Sequence, residues 1–177
     1  MPPSLDDSSN SGDPVAGRLV DVSHHHLDDV DRRILAVLDQ EPRLPVMELA
    51  RRVEVARGTA QARLDRLLAD GVIAGFGPHV EPSAIGYPVL AFTTLETSQG
   101  DLDALAAHLA AIPEVLEVHT ISGAGDVLCR IAARTNAHLQ EVIGRVLEGP
   151  TIARSTTNIV LTTSVALRTS QLAAIAD

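Results

Sequence analysis

The chain has 177 residues, a formal net charge of −9 and one cysteine. That charge argues against a general nucleic-acid coat protein; a lone cysteine excludes an intrachain disulfide; no apolar run reaches the length of a membrane span. Aromatic residues make up only 2% of the sequence, which speaks against stacking on single-stranded bases.

Residues 1–23 are polar, acidic and rich in Pro, Gly and Ser, and read as a flexible extension without a signal-peptide pattern. His24, His25 and His26 are adjacent on that tail and are read as incidental. No metal site is expected there or at His119, which has no Cys/His/Glu set at ligand spacing. Three short amphipathic helices follow. Val30, Ile34, Val37 and Leu38 recur at helical intervals, with Asp28 available as N-cap and negative charge in the first turn. Pro42 ends this helix, and Pro45 fits the first turn of the next, which carries Val46, Leu49, Ala50 and Val53 on one face. The third shows Ala60, Leu64, Leu67 and Leu68, and Asp70-Gly71-Val72-Ile73 closes it. Three stripes separated by short turns make one small core. The layout is that of a winged helix-turn-helix, which places one helix in the major groove.

Charge placement separates this reading from a plain three-helix bundle. Between Arg43 and Arg66 six arginines (Arg43, Arg51, Arg52, Arg57, Arg63, Arg66) face three acids (Glu48, Glu54, Asp65), and the chain has no lysine. Clustered cations meet phosphates, and arginine forks also read guanine edges; a solvated charged face is the bland alternative. The N-terminal half of a recognition helix meets the bases, so Arg57, Gly58, Thr59, Gln61 and Ala62 are the candidates for base reading. Arg63 and Arg66 are read as phosphate clamps, or as partners of Asp65 and Asp70. The small Gly58 and Ala62 suit readout that leans on DNA shape.

Beyond Pro88 the pattern changes. A β-rich run, Val89–Leu95, precedes a helix with the stripe Leu102, Leu105, Leu109 and Ile112, ended by Pro113. Strand-like segments Val115–Ile121 and Val127–Ala133 flank the turn Ser122-Gly123-Ala124-Gly125. Cys129, mid-strand, reads as a small buried residue. A helix with Leu139, Val142, Ile143, Val146 and Leu147 follows, then a last strand over Asn158–Leu167, rich in threonine and β-branched residues. Strand-helix-strand twice over is the ferredoxin-like βαββαβ arrangement. The fold class is therefore α+β.

Leu27-Asp28, Asp31 and Ile34-Leu35, then Glu48-Leu49-Ala50, then Arg63, Leu67 and Gly71-Val72-Ile73, then Gly75-Phe76 and Ile85-Gly86 stand in one register. This pattern resembles the Lrp/AsnC (feast/famine) family of transcription regulators, over about residues 27–168. The resemblance implies an N-terminal winged helix-turn-helix followed by a regulation-of-amino-acid-metabolism domain, similar in layout to ACT domains. Ala56 departs from the family, which usually has serine before the recognition helix; the lost N-cap costs about 1 kcal/mol. The resemblance also implies an effector between subunits, at Ser122, Gly123, Ala124, Gly125 and Asp126 on one side and Thr156, Thr157 and Asn158 on the other. There, glycines expose amide donors for a carboxylate and Asp126 receives an ammonium. Asp126 as a mere hairpin cap is the alternative.

The expected organisation is an extension (1–23), a DNA-binding domain (24–77), a linker (78–87), an effector-binding and oligomerisation domain (88–168) and a tail (169–177). The expected protein is a cytoplasmic, sequence-specific regulator that binds double-stranded DNA and a small-molecule effector, an amino acid. It has no cofactor and no membrane partner, and its homodimers assemble to a tetramer or octamer. Two other classes share features: siroheme decarboxylases, for which His119, Arg130 and Arg134 are the only hints of an enzyme, and effector-independent architectural DNA-binding proteins.

Overall fold

The computed structural model describes residues 26–98 and 101–175. The extension over 1–23 and His24 and His25 lie outside these residues. The chain divides into two compact units: one runs to His79 and takes in the C-terminal segment from Thr163, the other spans Val80–Thr162.

The first unit opens with α1 (Asp29–Gln40), capped as expected by Asp28. Its Oδ1 accepts from the Asp31 N–H at 3.0 Å, and Asp31 Oδ2 accepts from the Asp28 N–H at 3.1 Å, so each aspartate satisfies an orphan donor of the other. Pro45 is the N-cap of α2 (Val46–Arg52), one position before the first turn where the sequence suggested it. The turn into α3 (Arg57–Ala69) holds Glu54 at φ 57°, a left-handed conformation without glycine. Ile34, Leu38, Leu49, Val53, Leu64 and Leu67 form the core, closed at its edge by Leu27. A left-handed Gly71 turns the chain back under α3, where the Ile73 N–H donates to the Leu67 carbonyl at 2.9 Å. Residues 74–81 carry no helix or strand. The C-terminal segment, read from sequence as a tail, forms a short helix, α6 (Ser170–Ala173), and Ala173 packs on this same core.

The second unit is the expected βαββαβ: β1 (Val89–Thr97), α4 (Leu102–Ala110), β2 (Val115–Thr120), β3 (Val127–Ala133), α5 (Asn136–Leu147) and β4 (Ile152–Ile159). The sheet order is β2-β3-β1-β4, with every pair antiparallel. Both helices pack on one face, around Ala91, Leu95, Leu105, Leu109, Val127, Ile131, Leu139, Val142 and Val146. Cys129 is buried among them, and burial pushes its thiol up to about 11.

Three expectations are corrected. The last strand is not Asn158–Leu167 but Ile152–Ile159. It pairs with β1 as far as Ile159 opposite Ala91, with a final bond from the Val160 N–H to the Leu90 carbonyl. Continued in that register, Thr162 would face Pro88, which has no N–H to give, so the ladder ends. Leu161, Val165 and Leu167 are consequently exposed despite their strand-like sequence. The second strand stops at Thr120, one residue early. Leu102 and Leu147, counted in helical stripes, are exposed because they are the first residue of α4 and the last of α5, beyond the edge of the sheet core.

Helices α1, α4 and α5 each carry a side-chain cap, from Asp28, Asp101 and Thr135. Helix α3 has none: Ala56 holds the N-cap place in extended conformation, φ −63° and ψ 146°. Ala56→Ser should therefore raise stability by about 1 kcal/mol, read as a higher midpoint in thermal or urea unfolding. An unchanged midpoint would mean that water satisfies the α3 amides equally well.

Candidate nucleic-acid interface and ligand turn

The six arginines from Arg43 to Arg66 fall into three groups. Arg51 donates from Nε and NH2 to Glu48, at 2.9 and 2.5 Å, and Arg52 bridges Glu41 and Glu48 along the α2 surface. Those guanidinia, Arg51's hydrogen bond first, hold the Glu48 carboxyl down at about 2. Arg63 and Arg66 reach from α3 to α1. NH1 of Arg63 contacts Asp28 closely and lies 3.3 Å from Asp31 Oδ1, while NH2 of Arg66 is 2.5 Å from Asp31 Oδ2. Of the carboxylates that the sequence offered these arginines as an alternative to phosphate, Asp65 is corrected: they take Asp28 and Asp31 at the start of α1, and Asp65 accepts from Gln61 Nε2 at 2.7 Å. The Asp31 side chain is 0% exposed. An unpaired carboxylate at that depth would cost several kcal/mol, so its two guanidinia are what permit the burial.

Arg43 and Arg57 form the third group. Both are exposed, and no ion pair or side-chain hydrogen bond joins either to another described residue. Arg57, Gly58, Thr59, Gln61 and Ala62 lie together on the exposed first turns of α3, while Ala60 between them is buried. A Cβ placed on Gly58 would meet nothing within 4 Å, so nothing inside the protein demands a glycine there.

In the second unit, the Ser122–Asp126 turn is stitched to the end of β1. Gly123 and Gly125 adopt φ +120° and +101°. Gly125 is required twice over, because a Cβ there would stand 2.3 Å from Thr94 Cγ2 and 3.2 Å from the Leu95 carbonyl. The Asp126 N–H donates to that carbonyl at 2.9 Å, and Asp126 Oδ2 accepts from the Thr97 N–H and hydroxyl at 2.7 and 2.9 Å. The Thr97 amide, and next its hydroxyl, hold the carboxyl below its ordinary value. Oδ2 is thus occupied within the chain, and Oδ1 is the oxygen left for another donor. Ser122 and Ala124 are exposed at the tip.

Thr156, Thr157 and Asn158 lie on β4 opposite Thr94, Thr93 and Phe92. They do not share a face. Thr157 turns toward the helices, its hydroxyl 3.0 Å from that of the buried Thr93, while the alternation of β4 puts Thr156 and Asn158 on the helix-free face. Thr94 and Thr97, the turn's actual neighbours, carry no sequence signal beyond a threonine-rich strand. That open face also bears Leu90, Phe92, Leu116 and Leu128, with Glu117 held between Arg130 at 2.8 Å and His119 at 3.3 Å. Arg134 stacks over the Tyr87 ring at 5.2 Å and donates to its hydroxyl at 3.0 Å.

Residues 27–74 match a family model described as winged helix-turn-helix DNA-binding, and residues 90–169 one described as the Lrp/AsnC ligand binding domain. The chain is 33% identical over 139 residues to the HTH-type transcriptional regulator AldR of Mycolicibacterium smegmatis, a match covering 77% of this chain and 81% of that one. Escherichia coli AsnC superposes with a TM-score of 0.77 at 27% identity, over 82% of this chain and 99% of its own. A Neisseria meningitidis transcriptional regulator in complex with L-Met superposes at 0.74 over 82% and 96% of the two chains; at 24% identity that is a likeness of fold.

The Asp28 carboxyl takes the Asp31 N–H and the Arg63 guanidinium, in that order of effect, and is held down at about 2. A folded value below the unfolded one adds stability at neutral pH, and the addition is lost as pH falls from about 4 to about 2. The group is half exposed, so solvent screens part of the effect. Asp28→Asn keeps a competent cap but cannot titrate. Its melting temperature should fall less than the parent's between pH 5 and pH 2; parallel curves would assign the acid sensitivity to other carboxylates.

Proposed function

The chain belongs to the Lrp/AsnC family, and from that premise we propose how this DNA-binding transcription regulator reads its site and its ligand. Residues 24–77 are the DNA-binding domain, with α3 entering the major groove by its N-terminal turns. Arg57 addresses base edges beside Thr59 and Gln61, Gly58 and Ala62 let the helix approach closely, and Arg43, Arg51 and Arg52 face phosphates. The observation that carries this reading is the exposed Arg57 at the head of α3, free of internal carboxylates while four neighbouring arginines are engaged. A duplex enriched from a random pool by the parent chain provides the test. Arg57→Ala should weaken binding to it by about 1–3 kcal/mol more than binding to a scrambled duplex. Equal losses on both would reassign Arg57 to phosphate positioning.

The second unit takes the effector, for which we propose a free amino acid held between subunits. The Gly123–Asp126 turn supports this: its glycines leave backbone amides at the surface, and Asp126 Oδ1 stands free of the bonds that occupy Oδ2. Thr156 and Asn158 of a neighbouring copy complete the site, on the apolar open face by which copies pair into dimers and higher oligomers. Regulation follows by geometry, since a ligand between subunits biases which DNA-binding heads engage together. The work is cytoplasmic, where the DNA is. A decarboxylase reading has little support, because Arg130 and Arg134 are committed to Glu117 and Tyr87.

A thermal-shift screen of free amino acids, L-Met among them, identifies a ligand by the stability it adds. Asp126→Asn keeps acceptors for Thr97 and removes the charge, so calorimetry should show affinity for that ligand reduced at least tenfold. Unchanged affinity would leave Asp126 as a residue that only pins the turn.

A further inference from the structure

Arg63 and Arg66 are each held by one nitrogen. Asp28 and Asp31 take only NH1 of Arg63, and Asp31 takes only NH2 of Arg66. The other guanidinium N–H groups, Nε and NH2 of Arg63 and Nε and NH1 of Arg66, have no hydrogen-bond partner among the described residues. None of them is a buried unsatisfied atom. The side chains remain 30% and 45% exposed, while the carboxylate beneath them has no exposed surface. A guanidinium is a rigid planar fork of five donors, so anchoring one edge inward turns the rest outward in a fixed direction. On the α3 wheel Arg66 follows Thr59 and Ala62 by seven and four residues, which puts it on their exposed face.

Two carboxylates and two guanidinia also leave this cluster with no net charge. Its contribution to DNA binding therefore cannot be bulk positive potential. What it offers is direction.

We propose that Asp31 is a positioning residue for DNA recognition: from full burial it orients the Arg66 guanidinium, with Arg63 beside it, so that the free edges meet the DNA in one arrangement. The proposal rests on the reading of α3 as the groove-entering helix. It predicts effects of opposite sign on the two kinds of binding. Removing the Asp31 charge leaves the cluster net positive, which strengthens sequence-independent attraction; it also unfixes the forks, which weakens discrimination. A merely structural aspartate would lower both affinities together as the unit loosens.

The full chain is titrated against the enriched duplex and a scrambled duplex over a salt series, with circular dichroism to verify folding. Asp31→Asn should bind the scrambled duplex at least threefold more tightly, with a salt slope steeper by about one unit, while the enriched-to-scrambled ratio falls at least tenfold. Arg66→Lys is measured beside it because lysine keeps the charge at the surface and lacks the fork. Its ratio should fall at least fivefold with the helical signal intact. A parallel loss on both duplexes by Asp31→Asn, or an undiminished ratio in Arg66→Lys, overturns the proposal. A parent chain that enriches no sequence from the pool overturns the reading of α3 and this proposal with it.

Discussion

A carboxylate with no exposed surface lies between the first and third helices, and the arrangement of the first unit follows from supplying it with partners. Asp31 can stay there because the guanidinia of Arg63 and Arg66 and the backbone N–H of Asp28 surround it. Its partners bind the start of α1 to the middle of α3, so the helix that carries Arg57 is fixed in rotation as well as in place. Apolar packing through Leu49, Val53, Leu64 and Leu67 would hold the helices together without such specificity, because hydrophobic contact has no direction. Replacing one partner of a buried ionic cluster usually costs more than the cluster ever contributed, since it strands the remaining charge. Direction, more than net stability, is what this arrangement supplies.

The second unit solves a different problem. Its helices satisfy one face of the sheet, and the other is left with Leu90, Phe92, Leu116 and Leu128 beside Glu117, set between Arg130 and His119, and the Glu96–Arg154 pair. At the end of that sheet the Gly123–Asp126 turn has little freedom, since Gly125 touches β1 and Asp126 is tied to Thr97. A turn so tied would present a ligand with a surface already shaped, at little cost in ordering entropy.

Local features of the chain were legible where local physics decides them. The Asp28 cap, the three helical stripes and the whole of β3 sit where spacing and composition put them. The features that were not legible depend on residues far along the chain. Asp31, three positions past the cap, falls on the helical face of Ile34 and Leu38, but the arginines that let an acid be buried there stand 32 and 35 residues later. The extent of β4 is set by Pro88 across the ladder, against the strong strand preference of residues 160–167. Helical periodicity has no means of saying where the covering sheet ends, which is why Leu102 and Leu147 read as core. Four residues of α6 are too few for any periodicity to register.

Because the segment from Thr163 belongs with the helix-turn-helix unit, the polypeptide passes between the two units twice, near residues 79–80 and again near 162–163. The first unit is thus discontinuous in sequence, with the whole of the second inserted into it. A protease nick at Gly75–His79 would sever one crossing and leave the other, so the products would remain noncovalently associated through Ala173 and its neighbours instead of separating as two domains.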